Sequence, residues 1–311
     1  MQIFKSINID FIKNRRKFFF ISILMLLLTV SVFIYRGGPN YGIDFIGGVL
    51  IQVSFQQKVE LQDIRSVLEK SNIGSFELQS SGNVIMIRIK KNVVTSQKEF
   101  ENVIRWDIQE TFPNNSVTID RVEYVGPSVG IYLSKQALYA FFFAFMGMIV
   151  YVAFRFKSGL WGVASVLGII HDVVISLGFV ILANKEVNVT VIAALLTVAG
   201  YSINDTIVLF DRIKENLRFL EKENFGKVIN RSINEVFART VVTSLTVFVV
   251  SASLFLFGGE AMRTFSYIML IGTILGVFST LFICTFIVYE WELRKKNRLK
   301  SCNKEGHISL K

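Results

Sequence analysis

Two aspartates, a histidine and an arginine stand in this chain where their neighbours are apolar. Asp205 lies in the stretch GYSINDTIVLFDR, Gly200 to Arg212, at the end of one of the most apolar segments; His171 and Asp172 are adjacent inside a second, and Arg239 opens a third. An ionisable side chain at the centre of a helix in hydrocarbon costs about 2.5–3.5 kcal/mol, so it is expected to face the protein interior and to take a partner. The chemistry open to such a set is proton transfer. A carboxylate beside a permanent cation keeps its charge and takes up a proton when the two separate, while an imidazole titrates near neutral pH. Tyr201, one turn before Asp205, and the adjacent Asn204 extend the polar face. No nucleophile–base pair, metal-ligand spacing or phosphate loop accompanies them, so neither an enzyme nor a cofactor or metal is expected.

These residues need a membrane bundle to position them. Of the 311 residues 52% are hydrophobic, 29 are phenylalanine, and the mean hydropathy is +0.49, too apolar for a solvated domain. Six segments approach the roughly 20 apolar residues that a bilayer-spanning helix requires: Phe18 to Tyr35, Ala137 to Phe154, Leu160 to Ala183, Val187 to Phe210, Val236 to Phe257 and Phe265 to Tyr289. The net charge of +10 is carried by the two ends of the chain, which is the pattern of membrane orientation and not of a nucleic-acid-binding face. Lys/Arg counting puts both termini, the Arg155/Lys157 turn and the Arg212 to Arg231 segment on the cytoplasmic side. The N-terminal segment offers no A-x-A-like cleavage site and reads as a retained anchor. Cys284 in an apolar run and Cys302 in the basic tail suggest no disulfide framework.

At 1.5 Å per residue Asp205 lies about 10 Å inside the fourth span, and His171 about 17 Å inside the third. The fifth span returns antiparallel and brings Arg239 to a similar depth as Asp205. Bland readings stand beside the proton pathway: Asp205 as neutral hydrogen-bonding glue between helices, Arg239 as a snorkelling anchor, His171 as a satisfied core residue. Gly272-x-x-x-Gly276 and Ala164-x-x-x-Gly168 are packing signals.

The expected organisation is a basic N-terminus with span one over 1–36, a polar insert over 37–134, spans two to six over 135–290 with a charged loop at 211–235, and a basic tail over 291–311. The insert alternates VLIQVSF, helical ELQDIRSVLEK, SFELQS and NVIMIRIK about a Ser-Gly-Asn turn, helical SQKEFENVIRWDIQETF, and SVTIDRVEYV. That βαββαβ order predicts an α+β ferredoxin-like domain between spans one and two of an all-α six-helix transmembrane bundle. The 211–235 segment carries Ile213, Leu217 and Leu220 at helical spacing, consistent with an interfacial helix or a docking surface.

YGIDFIGG after the first span, HDV in the third and GYSINDTIVLFDRIKEN across the end of the fourth resemble the SecD/SecF family of the resistance-nodulation-division superfamily. The resemblance covers the whole architecture. It implies a SecD-like partner half supplying the other six spans, attachment to the SecYEG channel, and proton flow into the cytoplasm that drives external domains to pull exported, unfolded polypeptide across the bacterial inner membrane. It further implies that Asp205, in SINDT, and Arg239, in FARTV, conduct protons. Asp44, Phe45, Gly47 and Gly48 match the first motif, where glycines permit tight turns and a hinge or structural role is expected. Lys214 stands where the family often has arginine, and the tail with Cys302 and His307 matches no motif. Independently, a proton carrier needs acceptors spaced across the membrane, and the few present here call for a second half with a matching carboxylate. A half-size proton-coupled efflux transporter for small amphiphiles or metals is the alternative, disfavoured because one insert of about 90 residues leaves little room for a ligand pocket of hundreds of cubic ångströms.

Overall fold

The computed structural model describes residues 9–70, 76–89, 105–113, 115–219 and 224–295. The tail with Cys302 and His307 therefore lies outside the described residues, as does the beginning of the second helix expected in the insert. The chain divides into two compact units, one made of residues 1–39, 141–185 and 190–311, the other of residues 40–140 together with 186–189.

The first membrane helix, α1 (Arg15–Tyr35), leads into the insert. There a short helix α2 (Ile43–Ile46) precedes strand β1 (Gly48–Phe55), followed by α3 (Leu61–Lys70), β2 (Phe76–Ser81), β3 (Val84–Ile89), helical residues 105–111 (α4) and β4 (Val117–Val125). The four strands form one antiparallel sheet in the order β2-β3-β1-β4. Strand β1 shows why: Val49, Ile51, Val53 and Phe55 alternate into the core, as period-two side chains must. Ile64, Val67 and Leu68 of α3 and Ile108 of α4 close over them with Ile85, Ile87 and Ile89. The apolar stripe of each helix thus meets the apolar face of the sheet.

Gly48 opens β1 with φ +136, and a Cβ there would come within 2.4 Å of the Ile89 carbonyl oxygen. Backbone cannot yield as a side-chain end can. Gly48→Ala is therefore expected to destabilise the insert by about 3 kcal/mol, from unfavourable backbone angles plus the clash, read as a lowered thermal midpoint of the full chain; an unchanged midpoint would contradict this account of the strand entry.

The remaining membrane helices are α5 (Pro127–Phe156), α6 (Gly159–Leu182), α7 (Val189–Phe219), α8 (Phe225–Phe257) and α9 (Gly259–Phe278). A π-helical turn, Ser279–Cys284, follows α9, and the helix resumes to residue 295. Six helices are long and apolar enough to cross a membrane. They run past the expected limits at several ends because charged residues continue them. Arg212 pairs with Glu215 and Glu235, Arg231 with Glu235, and Asn216 donates to Ser232 and Glu235, so most of the segment expected as a charged loop is an antiparallel helical extension of α7 and α8. Asn224 caps α8 by accepting from the Gly226 N–H at 3.0 Å.

Burial is unequal around the bundle. Between 50% and 67% of the apolar stretch of α6, α7 and the α9 helix is buried, against 6% for α1 and α5 and 17% for α8. The first three make the centre, and the others turn broad apolar faces outward. Close approach at the centre depends on small residues: a Cβ at Gly272 would meet Val198 at 2.2 Å, and one at Gly168 would meet the Cys284 sulfur at 2.5 Å. At the N-terminus, Asn234 holds the Ile9 backbone through both its N–H and its carbonyl, Asn230 accepts the Phe11 N–H, and the Phe11 ring sits between Phe237 and Phe282.

Candidate functional site

Helix α7 carries two polar networks, which share no described hydrogen bond. Toward α6 and the π-helical turn, Ser202 and Ser279 both donate to Asp172 Oδ2, at 2.7 and 2.6 Å, while His171 Nδ1 lies 2.9 Å from Asp172 Oδ1. Asp172 is fully buried and His171 nearly so. His171 stacks on Phe278, and its Nε2 is buried without a hydrogen-bond partner among the described residues. One turn along α7, Thr206 shares a 2.8 Å hydrogen bond with Thr280. The wider π turn supplies Ser279 and Thr280 to this cluster, and single π turns of this kind recur at functional sites.

Toward α8 the second network is a line. Tyr201 donates to Ser244 Oγ at 2.9 Å, and Ser244 donates to Asp205 Oδ2 at 3.4 Å. Asp205 is buried at 3% exposure. The last contact is long for a hydroxyl–carboxylate bond, so the carboxylate is loosely held. Phenol, hydroxyl and carboxylate in sequence can pass a proton by reorienting hydrogen bonds, which requires no movement of backbone.

Arg239 does not complete this line as an ion pair. It is exposed, and no ion pair joins Asp205 to any described residue, although Arg239 is near enough to act on it electrostatically. Helical geometry accounts for the separation. Thr240 and Ser244, one turn apart, fill the inward face of α8, and Arg239 stands about 100° round from Thr240. Asn204 is likewise exposed, about 100° round α7 from Asp205, whereas Tyr201 is half-buried. The structure thus brings Tyr201 to Asp205 and His171 to Asp172, and leaves Arg239 and Asn204 facing outward.

Asp44, from the motif after span one, accepts the Val189 N–H at 2.9 Å and so caps the start of α7. Phe45 packs edge-on against Tyr41. Gly47 and Gly48 both take positive φ, and Gly130 at the start of α5 lets the Phe45 carbonyl approach where a Cβ would sit 2.7 Å away.

Sequence reasoning missed the hydroxyls: Ser202, Ser244, Ser279, Thr206 and Thr280. A weak signal existed. Ser202 and Thr206 are four apart on the face of α7 that turns toward Asp172, and Thr240 and Ser244 repeat that spacing on α8.

The family described as protein export membrane protein SecD/SecF, C-terminal, matches residues 103–294, and the SecD/SecF GG motif matches residues 32–59. The chain is 66% identical over 311 residues, all of both chains, to the protein translocase subunit SecF of Endomicrobium trichonymphae. It is 40% identical over 286 residues to that of Calditerrivibrio nitroreducens, covering 91% of this chain and 93% of that one. A crystal structure of SecDF from Thermus, a translocon-associated membrane protein, superposes with a TM-score of 0.83 at 31% identity over 92% of this chain. SecDF in a super-membrane-facing form gives 0.71 at 30% over 97%. This chain spans 39% and 41% of those two SecDF chains. With the family model matching residues 103–294, the GG motif whose Asp44 caps α7, and near-complete coverage of the two SecF relatives, the chain belongs to the SecD/SecF family of protein-export membrane proteins, on its SecF side.

Proposed function

We propose that this chain uses the proton motive force, together with a SecD-like partner half and the SecYEG channel, to drive late steps of polypeptide export across the bacterial inner membrane. The Tyr201–Ser244–Asp205 line carries the reading: a buried, loosely held carboxylate in a membrane bundle, with a guanidinium in electrostatic reach, is suited to load and release protons. The insert, with helices on one sheet face and strand order β2-β3-β1-β4, is read as ferredoxin-like and external to the cytoplasm. Both termini are cytoplasmic in this reading, from the distribution of Lys and Arg.

A partner half is supported by the outward apolar faces. Leu245, Val249, Val250 and Leu256 of α8 are exposed on a helix that also carries exposed Arg239. Such a patch in a bundle whose relative is more than twice as long is where a second half would sit.

The test is to deplete the chain from cells, restore it, and measure completion of export with the membrane potential intact and collapsed. Restoration is expected to rescue export only while the potential stands. Equal rescue without potential, or ligand-stimulated proton flux by the purified chain alone, would contradict the proposal.

A further inference from the structure

The short connection between α6 and α7 belongs to the inserted unit. Val187 N–H donates to the Asn40 carbonyl at 2.7 Å and the Val187 carbonyl accepts the Gly42 N–H at 2.8 Å, a parallel bridge outside the main sheet. Next to it, Asp44 caps Val189. On the other side Arg88 of β3 forms an ion pair with Glu186 and reaches Gln79 Oε1 at 2.7 Å with its other arm. The Arg88 and Glu186 side chains are only 7% and 13% exposed.

A buried ion pair is seldom the most stable filling of its volume, since well-packed apolar residues do as well or better. Here it stands outside the sheet's apolar core and fastens four residues of a turn to the edge of a domain. The turn is covalently continuous with α7, and Asp205 lies sixteen residues beyond Val189, about 24 Å along the helix.

We propose that Arg88, Glu186 and Asp44 form a releasable clasp that makes the α6–α7 turn a working part of the inserted domain, so that movement of the Asp205 helix is delivered to the domain at Val189. This rests on the proton-driven reading above. The three are positioning residues, and none lies on the proton line.

The clasp responds to pH. Burial pushes the Glu186 carboxyl up to about 7, against the attraction of Arg88 and with help from the negative charges of Glu77 and Asp44. The neighbouring Lys185 is directed elsewhere, over the Tyr267 ring at 5.7 Å. A carboxyl whose value is higher when buried than when free binds a proton on docking. The closed clasp therefore strengthens as pH falls below about 7, by at most about tenfold per pH unit, and that gain is lost as pH rises back to about 7, above which the clasp changes little. In the proposed orientation this group faces the compartment that the proton motive force acidifies, so the clasp tightens when the driving gradient is present.

Hydrogen exchange of the full chain in lipid discs tests this at the Val187 and Val189 amides, between pH 6 and 8.5, after correction for the intrinsic pH dependence of exchange. Protection is expected to fall about tenfold across that range in the native chain, most of it below about pH 7.5. It should stay level in Glu186→Gln, whose neutral amide imitates the protonated acid, and drop at every pH in Arg88→Gln, with Arg88→Lys restoring part of it. Level protection in the native chain, or the same fall in Glu186→Gln, would overturn the clasp. If the exchange behaves as expected while Asp205→Asn leaves potential-driven export intact, the proton-motor reading fails and the clasp stands; level exchange with export lost in Asp205→Asn gives the reverse.

Discussion

Asp205→Asn is expected to reduce potential-dependent stimulation of export to the level seen with the potential collapsed, while the protein remains folded and in the membrane. Asparagine has the shape of aspartate and its amide oxygen still accepts from Ser244, so the 3.4 Å contact and the Tyr201–Ser244 bond at 2.9 Å can persist. What is lost is the capacity to gain and lose a proton. A membrane potential of 100 mV supplies about 2.3 kcal/mol per elementary charge, and a helix face that cannot load a proton collects none of it. Asp205→Glu keeps the chemistry at a displaced position and should retain part of the stimulation. Loss of the protein from the membrane in Asp205→Asn would instead mark the carboxylate as glue between α7 and α8, the bland reading of the sequence.

Asp172→Ala should have the largest effect on stability. Its two carboxylate oxygens serve Ser202, Ser279 and His171, which lie on α6, α7 and the π-helical turn, and the site is fully buried. Alanine would leave two serine hydroxyls and a histidine nitrogen without their common partner, a loss of about 3 kcal/mol or more. Asp172→Asn preserves an acceptor for both serines, and a cost nearer 1 kcal/mol is expected. Thermal unfolding in detergent should rank native, asparagine and alanine forms in that order. Two serine donors and the His171 nitrogen on one carboxyl group make a tie, and a proton carrier placed there must first break a bond. Export in Asp172→Asn should accordingly stay well above that of Asp205→Asn. Equal loss of export at native stability would return Asp172 and His171 to the proton route.

The bundle was legible because apolar runs of sufficient length admit few other structures, and the sheet because β1 alternates so cleanly. Helix ends were not legible in the same way. Arg212 and Glu235 read as loop charges until their pairing across two helices is seen, and nothing in a linear pattern reports a partner 23 residues away. Asp205 and Asp172 stood out because carboxylates are costly in hydrocarbon. Serine and threonine do not, since in membrane helices they commonly satisfy themselves on the carbonyl four residues back; Ser244, Ser202 and Ser279 are distinguished only by what faces them. Arg239 shows the opposite limit. Depth along the helix placed it level with Asp205, but the direction of its side chain depends on a rotation that Thr240 and Ser244 decide. The Arg88–Glu186 pair was invisible for a related reason, as it joins a strand to a turn between two distant spans.

The central claim is that Asp205 itself exchanges a proton. Infrared difference spectroscopy of the full chain in lipid, titrated with pH and repeated on Asp205→Asn, addresses it directly. The account predicts a protonated-carboxyl carbonyl band that grows on acidification in the native chain and is missing from the variant. A native spectrum without such a band, or one that survives unchanged in Asp205→Asn, would contradict it.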